Sequence, residues 1–121
     1  MQILKRIFKK YCQATPTVAG NLTFTAGLHT VKPDSGKGFT VTETMGTNQA
    51  IFGKIQFDKP FSELPSIVCG ISNLNNNGNE WQWDVYAVDV TANGFTFIVT
   101  RMHVGSSWYS GSLNASFIAT V

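Results

Sequence analysis

"WQWDVYAVDVTANGFTFIVTRM", residues 81–102, is the stretch that decides how this chain folds. Trp81, Trp83, Val85 and Ala87 fall on one face, while Gln82, Asp84, Tyr86 and Val88 fall on the other. A period of two is that of a β-strand, in which successive Cβ atoms point to opposite faces of the sheet. "ANG" interrupts the pattern as a tight-turn signal. "FTFIVTRM" then resumes it, with Phe95, Phe97 and Val99 on one face. The segment predicts two antiparallel strands joined by a short hairpin. Its second face is unusual, because Tyr86, Val88, Ile98 and Met102 put apolar groups where a solvated sheet carries polar ones. A sheet that is apolar on both faces buries the outer one against another copy, and a homo-oligomer is expected.

The same signals extend outward along the chain. "PSIVCGISNL" (65–74) is a near-continuous apolar run that reads as a strand covered on both sides, and "NNNGNE" separates it from the hairpin with an Asn-Gly turn. "AIFGKIQFDKPF" (50–61) brings Phe52, Ile55 and Phe57 near one another and is closed by Pro60. "FTVTETM" (39–45) alternates, "NLTFTAGLHTV" (21–31) reads as one strand, and "KPDSGKG" between them has loop chemistry. "SLNASFIATV" (112–121) supplies the last strand, with Leu113 and the Phe117–Ile118 pair as its apolar content. Short strands punctuated by turns, with no helix between them, predict an all-β domain. The expected architecture is a six- to seven-stranded antiparallel β-sandwich spanning residues 21–121.

Residues 1–20 differ from the rest. Ile3, Leu4, Ile7, Phe8 and Tyr11 recur at helical spacing opposite Lys5, Arg6, Lys9 and Lys10, which predicts a short amphipathic N-terminal helix. A helix of about three turns is marginal alone in water. It needs a neighbouring subunit, the domain itself or a membrane surface to lie against. "QATPTVAG" then reads as a linker. From Gln13 onward five basic residues face all seven acids, a net charge of −2, so the body offers no basic field for a polyanion and nucleic acid is not an expected partner. No apolar run reaches the roughly 20 residues of a bilayer span. The recurring Lys and Arg break up the uninterrupted apolar core of a signal peptide. Cys69 lies in an apolar run and reads as a buried free thiol, a Cys12–Cys69 bridge being the alternative.

Catalytic chemistry is sparse. His29 and His103 stand far apart without neighbouring acids, and no nucleophile elbow, HExxH or CxxC is present. Glu80 and Asp84 share a strand face at roughly 13 Å. That exceeds the roughly 5–9.5 Å that separate the carboxylates of glycosidases. Two histidines and two distant cysteines make no metal-ligand set. The expectation is a protein that is not an enzyme and holds no cofactor. What the sequence does offer is amphipathic rings, Trp81, Tyr86, His103, Trp108 and Tyr109, among short polar groups such as Asn79, Gln82 and the serines of "RMHVGSSWYSGS" (101–112). A flat apolar platform ringed by directional polar groups suits a small polar ligand such as a sugar.

The order of these residues carries a resemblance. "KIQFDKPFSELPSIVCGISNL", a polar hairpin, "WDVYAVDVTANGF" and then "RMH…WYS…SFIA" resemble the H-type lectin domain, the family of snail agglutinins and of the discoidin C-terminal domain. The resemblance covers residues 50–121 and rests on the scaffold positions Pro65, Leu74, Val90, Thr91, Gly94, Phe95 and the run from Phe117 to Ala119. It implies a six-stranded antiparallel sandwich that assembles as a homotrimer and binds galactose or N-acetylgalactosamine in grooves between protomers. The family's histidine position falls on His103 and its tyrosine position on Tyr109, or on Trp108 if the loop inserts differently. Its arginine position falls near Gln82 and its tryptophan position on Met102. The family's aspartate has no evident counterpart, Gly46 and Asn48 being nearest. The charged clamp of the family is thus replaced by neutral groups. Neutral hydrogen bonds are roughly half as strong as charge-assisted ones.

Two functions follow as expectations. One is a carbohydrate-binding homotrimer acting in glycan recognition or receptor attachment, with His103, Trp108, Tyr109, Gln82, Tyr86 and Asn48 lining its groove. The other is an attachment module of a larger assembly, such as a phage tail tip or fibre, docked through residues 3–11.

Overall fold

A computed structural model of the chain describes residues 16–25, 30–47, 50–75, 83–101 and 112–121. They form eight strands: β1 (Thr17–Thr25), β2 (Thr30–Lys37), β3 (Phe39–Gly46), β4 (Ala50–Phe57), β5 (Ser66–Asn75), β6 (Trp83–Thr91), β7 (Gly94–Arg101) and β8 (Ser112–Thr120). Two four-stranded sheets, ordered β2-β1-β8-β5 and β3-β4-β7-β6, are antiparallel throughout. They face each other across one core, as a sandwich. The N-terminal helix expected over residues 3–11 lies outside the described residues.

Alternation builds the core. Leu22 and Phe24 of β1, Ile51, Ile55 and Phe57 of β4, Phe95, Phe97 and Val99 of β7, and Leu113, Ala115, Phe117 and Ala119 of β8 all point inward and are buried. Phe117 is the hub. Its ring centroid lies 5.0 Å from Phe39, 5.0 Å from Phe95 and 6.2 Å from Phe97, each pair steeply inclined. Edge-to-face pairs of this kind add about 0.5–1.5 kcal/mol each beyond area burial. Gly20 makes the cluster possible, because a Cβ there would sit 2.4 Å from the Phe39 ring.

Five sequence readings change. "KPDSGKG" is not a loop but most of β2, so the strand count is eight. Pro33 and Gly36 are tolerated because β2 is an edge strand bonded on one side, with a register shift between Asn21 and Leu22 that takes up the irregularity. The run 21–31 therefore divides between β1 and β2, and Thr17–Gly20, read as linker, belong to β1 and pair with β8. Strand β5 is likewise an edge strand: Ile67, Cys69 and Ile71 pack on the core, but Val68 is 69% exposed, so only one of its faces is covered. Phe52 parts from Ile55 and Phe57, since its register partners Met45 and Ile98 put it on the outer face.

Truncating the hub, Phe117→Ala, is expected to cost about 3–5 kcal/mol in denaturant unfolding. Gly94→Ala would place a Cβ 2.1 Å from the carbonyl oxygen of Ile55. That change is expected to cost more than about 1 kcal/mol although it adds only a methyl group.

Candidate functional site

The two ends of the sandwich are unlike. Strands β2 and β3 are joined through Gly38 alone, which brings the Lys37 end of one sheet beside the Phe39 end of the other. Backbone hydrogen bonds brace this end: Asp58 N–H to Gly38 O at 2.8 Å, Phe57 N–H to Asn93 O at 2.8 Å and Phe61 N–H to Ala92 O at 2.9 Å. The opposite end holds the terminal rungs Thr25–Thr30, Thr25–Ser112, Asn75–Ser112, Gly46–Ile51 and Trp83–Arg101. Residues 26–29, 48–49, 76–82 and 102–111 are bounded by those rungs. Five of the six residues singled out from the sequence, Asn48, Gln82, His103, Trp108 and Tyr109, fall in these segments and lie outside the described residues. The sixth, Tyr86, is described.

Tyr86 sits on the outer face of β6 and is 39% exposed. Register sets it beside Ile98, Ile98 beside Phe52, and Phe52 beside Met45, so one apolar row crosses all four strands of that sheet. Within the row Ile98 is buried by its neighbours while Met45 is 65% exposed. The outward placement of Tyr86, Val88 and Ile98 read from the sequence thus extends to Phe52 and Met45. Met102 lies outside the described residues.

Part of the outer face of the other sheet carries a polar network that sequence reading passed over, beside the exposed Val68 and Ile118. Asp34 sits at the β1–β2 register shift. Its Oδ2 accepts from the Thr23 hydroxyl and, at 2.8 Å, from the Asn114 side-chain amide. Asn114 donates to Thr23 Oγ1 as well, at 2.9 Å. Beside this cluster the hydroxyls of Ser72 and Ser116 both donate to Asn21 Oδ1, at 3.1 and 3.3 Å. A depression of about 280 Å³ opens over Gly70, between Val68 and Ile118 on one side and Ser72 and Ser116 on the other. The period-two polar pattern of Asn21 and Thr23, and of Asn114 and Ser116, was the signal. Asp34 was hidden by the loop-like composition around it.

Among the described residues no group of three or more His, Cys, Asp or Glu side chains is placed to hold a metal ion. Nor, among them, is any helix long and apolar enough to cross a membrane. A family model, the H-type lectin domain, matches residues 53–120. No curated protein matches the chain. Among solved structures, the tailspike gp61 of Pseudomonas phage phi297 aligns with a TM-score of 0.49 and 13% sequence identity, over 93% of this chain and 17% of that one. The chain thus spans only a small part of the tailspike's length.

Cys69, on β5, is a free, half-buried thiol that points toward the Val85 carbonyl at 3.9 Å. Burial pushes its pKa up, the backbone at Ala87 opposes this, and the charge of Asp84 adds to the rise. A thiol pKa higher in the folded than in the unfolded chain means that the unfolded state releases its proton first. The associated stability is therefore present below the ordinary thiol pKa and is lost as pH rises through the folded value. In a Cys12→Ser chain, alkylation of Cys69 by iodoacetamide at pH 8 is expected to be slower folded than unfolded, and to accelerate only at more alkaline pH. Mass spectrometry of a timed quench reads this directly.

Proposed function

Because this chain belongs to the H-type lectin domain family, we propose that it binds glycan as a homotrimer, in grooves between protomers lined by His103, Trp108, Tyr109, Gln82, Tyr86 and Asn48. The family match carries this reading. The segments bearing five of these residues are all bounded by strand ends opposite the Gly38 crossover, and the connecting segments of a rigid β-scaffold commonly carry its binding groups. The apolar row of Met45, Phe52, Ile98 and Tyr86 on the adjoining face supports assembly, since another copy would cover it.

The chemistry follows from the side chains. Tyr109 and Trp108 supply rings for the apolar face of a galactose-type sugar, and His103 supplies a ring nitrogen for a hydroxyl. The amides of Gln82 and Asn48 donate and accept from the remaining hydroxyls in place of a charged clamp. With neutral hydrogen bonds throughout, monosaccharide affinity is near millimolar, about −4 kcal/mol. Three such sites on one trimer raise the avidity for displayed glycans. No step of this reading requires a cofactor or a catalytic group. The basic amphipathic stretch at residues 3–11 supports a further role in mounting the trimer on a larger assembly, as in the tip of an attachment fibre.

Light scattering of the full chain is expected to give a trimer, and a multivalent glycan array a signal on galactose-type sugars. His103→Ala or Tyr109→Ala should abolish the array signal without lowering Tm. Gln82→Arg, which returns a charged donor to the groove, is expected to tighten galactoside binding by about tenfold. A monomer, or an array silent on every glycan, contradicts the reading. If deletion of residues 1–12 removes the chain from its assembly while leaving glycan binding intact, residues 3–11 are the mount.

A further inference from the structure

The braced end of the sandwich carries a second concave site. The strand-pair register places an extra residue on each edge strand of the β3-β4-β7-β6 sheet, at one level. On β3 the pairing jumps from Val41–Ile55 to Glu43–Lys54, leaving Thr42 unpaired. On β6 it jumps from Val88–Thr96 to Thr91–Gly94, so that Asp89 and Val90 together oppose Phe95. Ile55 and Phe95 are themselves partners, so the two bulges flank the same rung from opposite edges. Bulges bend a strand and re-aim a side chain, and they are over-represented beside functional sites.

Between them lies a cavity of about 420 Å³, lined by Thr42, Lys54, Gln56, Asp89, Asn93 and Thr96 among others. That volume is within the range of roughly 300–1,000 Å³ typical of small-ligand sites. Asp89 has a φ of 53°, in the left-handed region, and no other non-glycine residue does so among the described residues. Such a backbone costs of order 1–3 kcal/mol and persists where the surroundings impose it. Aspartate tolerates the region better than most residues, but turn formation does not use its side chain. The β6–β7 turn is closed by Thr91 instead, whose Oγ1 accepts from Asn93 N–H at 3.1 Å and donates to Gly94 O at 3.3 Å. Among the described residues neither the Asp89 carboxylate nor the Lys54 ammonium has an ion-pair or hydrogen-bond partner.

We propose that this cleft, opening between the bulges of β3 and β6, is a second binding site for a neutral saccharide. One ammonium and one carboxylate cancel in charge, which disfavours an anion or a cation. Together they supply a strong donor and a strong acceptor for hydroxyl groups. The carboxylate accepts from a vicinal pair, the ammonium donates to a ring or hydroxyl oxygen, and the amides of Gln56 and Asn93 do either. The hydroxyls of Thr42 and Thr96 line the remaining wall. None of these residues belongs to the groove proposed at the end opposite Gly38, so the site stands or falls without it.

The test is an amide-resolved NMR titration of the full chain with the neutral methyl glycosides of galactose, glucose, mannose and N-acetylgalactosamine. Saturable shifts are expected at Gln56, Asp89, Asn93 and Thr96, in the native chain and in His103→Ala alike. Asp89→Gly removes the carboxylate while relieving the left-handed backbone. It should keep or raise Tm and weaken these shifts by about tenfold or more. Lys54→Met, at an exposed position, should weaken them likewise. No saturable shift at these amides with any of the glycosides overturns the site, as does a titration of Asp89→Gly that matches the native chain. Shifts at Tyr86 and the strand ends near it alone would overturn this site while supporting the groove proposed at the end opposite Gly38.

Discussion

The packing of Phe117 between the sheets is the contact on which the rest of the structure depends. Its ring comes from the strand paired with both β1 and β5, and it meets Phe39, Phe95 and Phe97 of the opposing sheet. That one ring therefore ties β8 to β3 and β7 across the core. The constraint propagates outward. Gly20 must lack a side chain so that Phe39 can reach Phe117. Gly94 must lack one because β7 starts against the Ile55 carbonyl. Gly20 answers to the aromatic layer between the sheets, Gly94 to the backbone of the neighbouring strand β4.

A core this well filled allows the two ends to differ. One end is closed by a single-residue crossover at Gly38 and by backbone hydrogen bonds from residues 57, 58 and 61 to residues 38, 92 and 93. The other is where the longer connections, residues 76–82 and 102–111, join the strands. The outer surfaces follow the same division. The β3-β4-β7-β6 sheet presents an apolar row nearer the end opposite Gly38 and a polar cleft near the Gly38 end, whereas the outer face of the other sheet carries the bonds that meet at Asp34 and Asn21.

Much of this was legible in the sequence, for physical reasons that differ from element to element. The hairpin at 83–101 read correctly because alternation and a tight turn are local signals, and Val85, Phe95, Phe97 and Val99 needed only period two to be assigned inward. The outer apolar face was half legible: Tyr86, Val88 and Ile98 were visible on one hairpin, but Phe52 and Met45 join them only through register. Strand β2 was misread because Pro33, Asp34, Ser35 and Gly36 have turn chemistry, and only their place on a sheet edge makes a strand of them. Asp89 carried no sequence signal at all, since a left-handed backbone at a bulge is set by the pairing of β6 with β7. For His103, Trp108, Tyr109, Gln82 and Asn48, proposed to line the groove, sequence supplies the chemistry and family membership the context.

The central claim is a glycan held between copies of this chain, and a crystal structure of the full chain grown with N-acetylgalactosamine tests it most directly. The account predicts a threefold assembly that covers the Met45–Phe52–Ile98–Tyr86 row, with sugar density between two protomers against His103 and Tyr109. A monomer with that row facing solvent and no sugar at the end opposite Gly38 would contradict it.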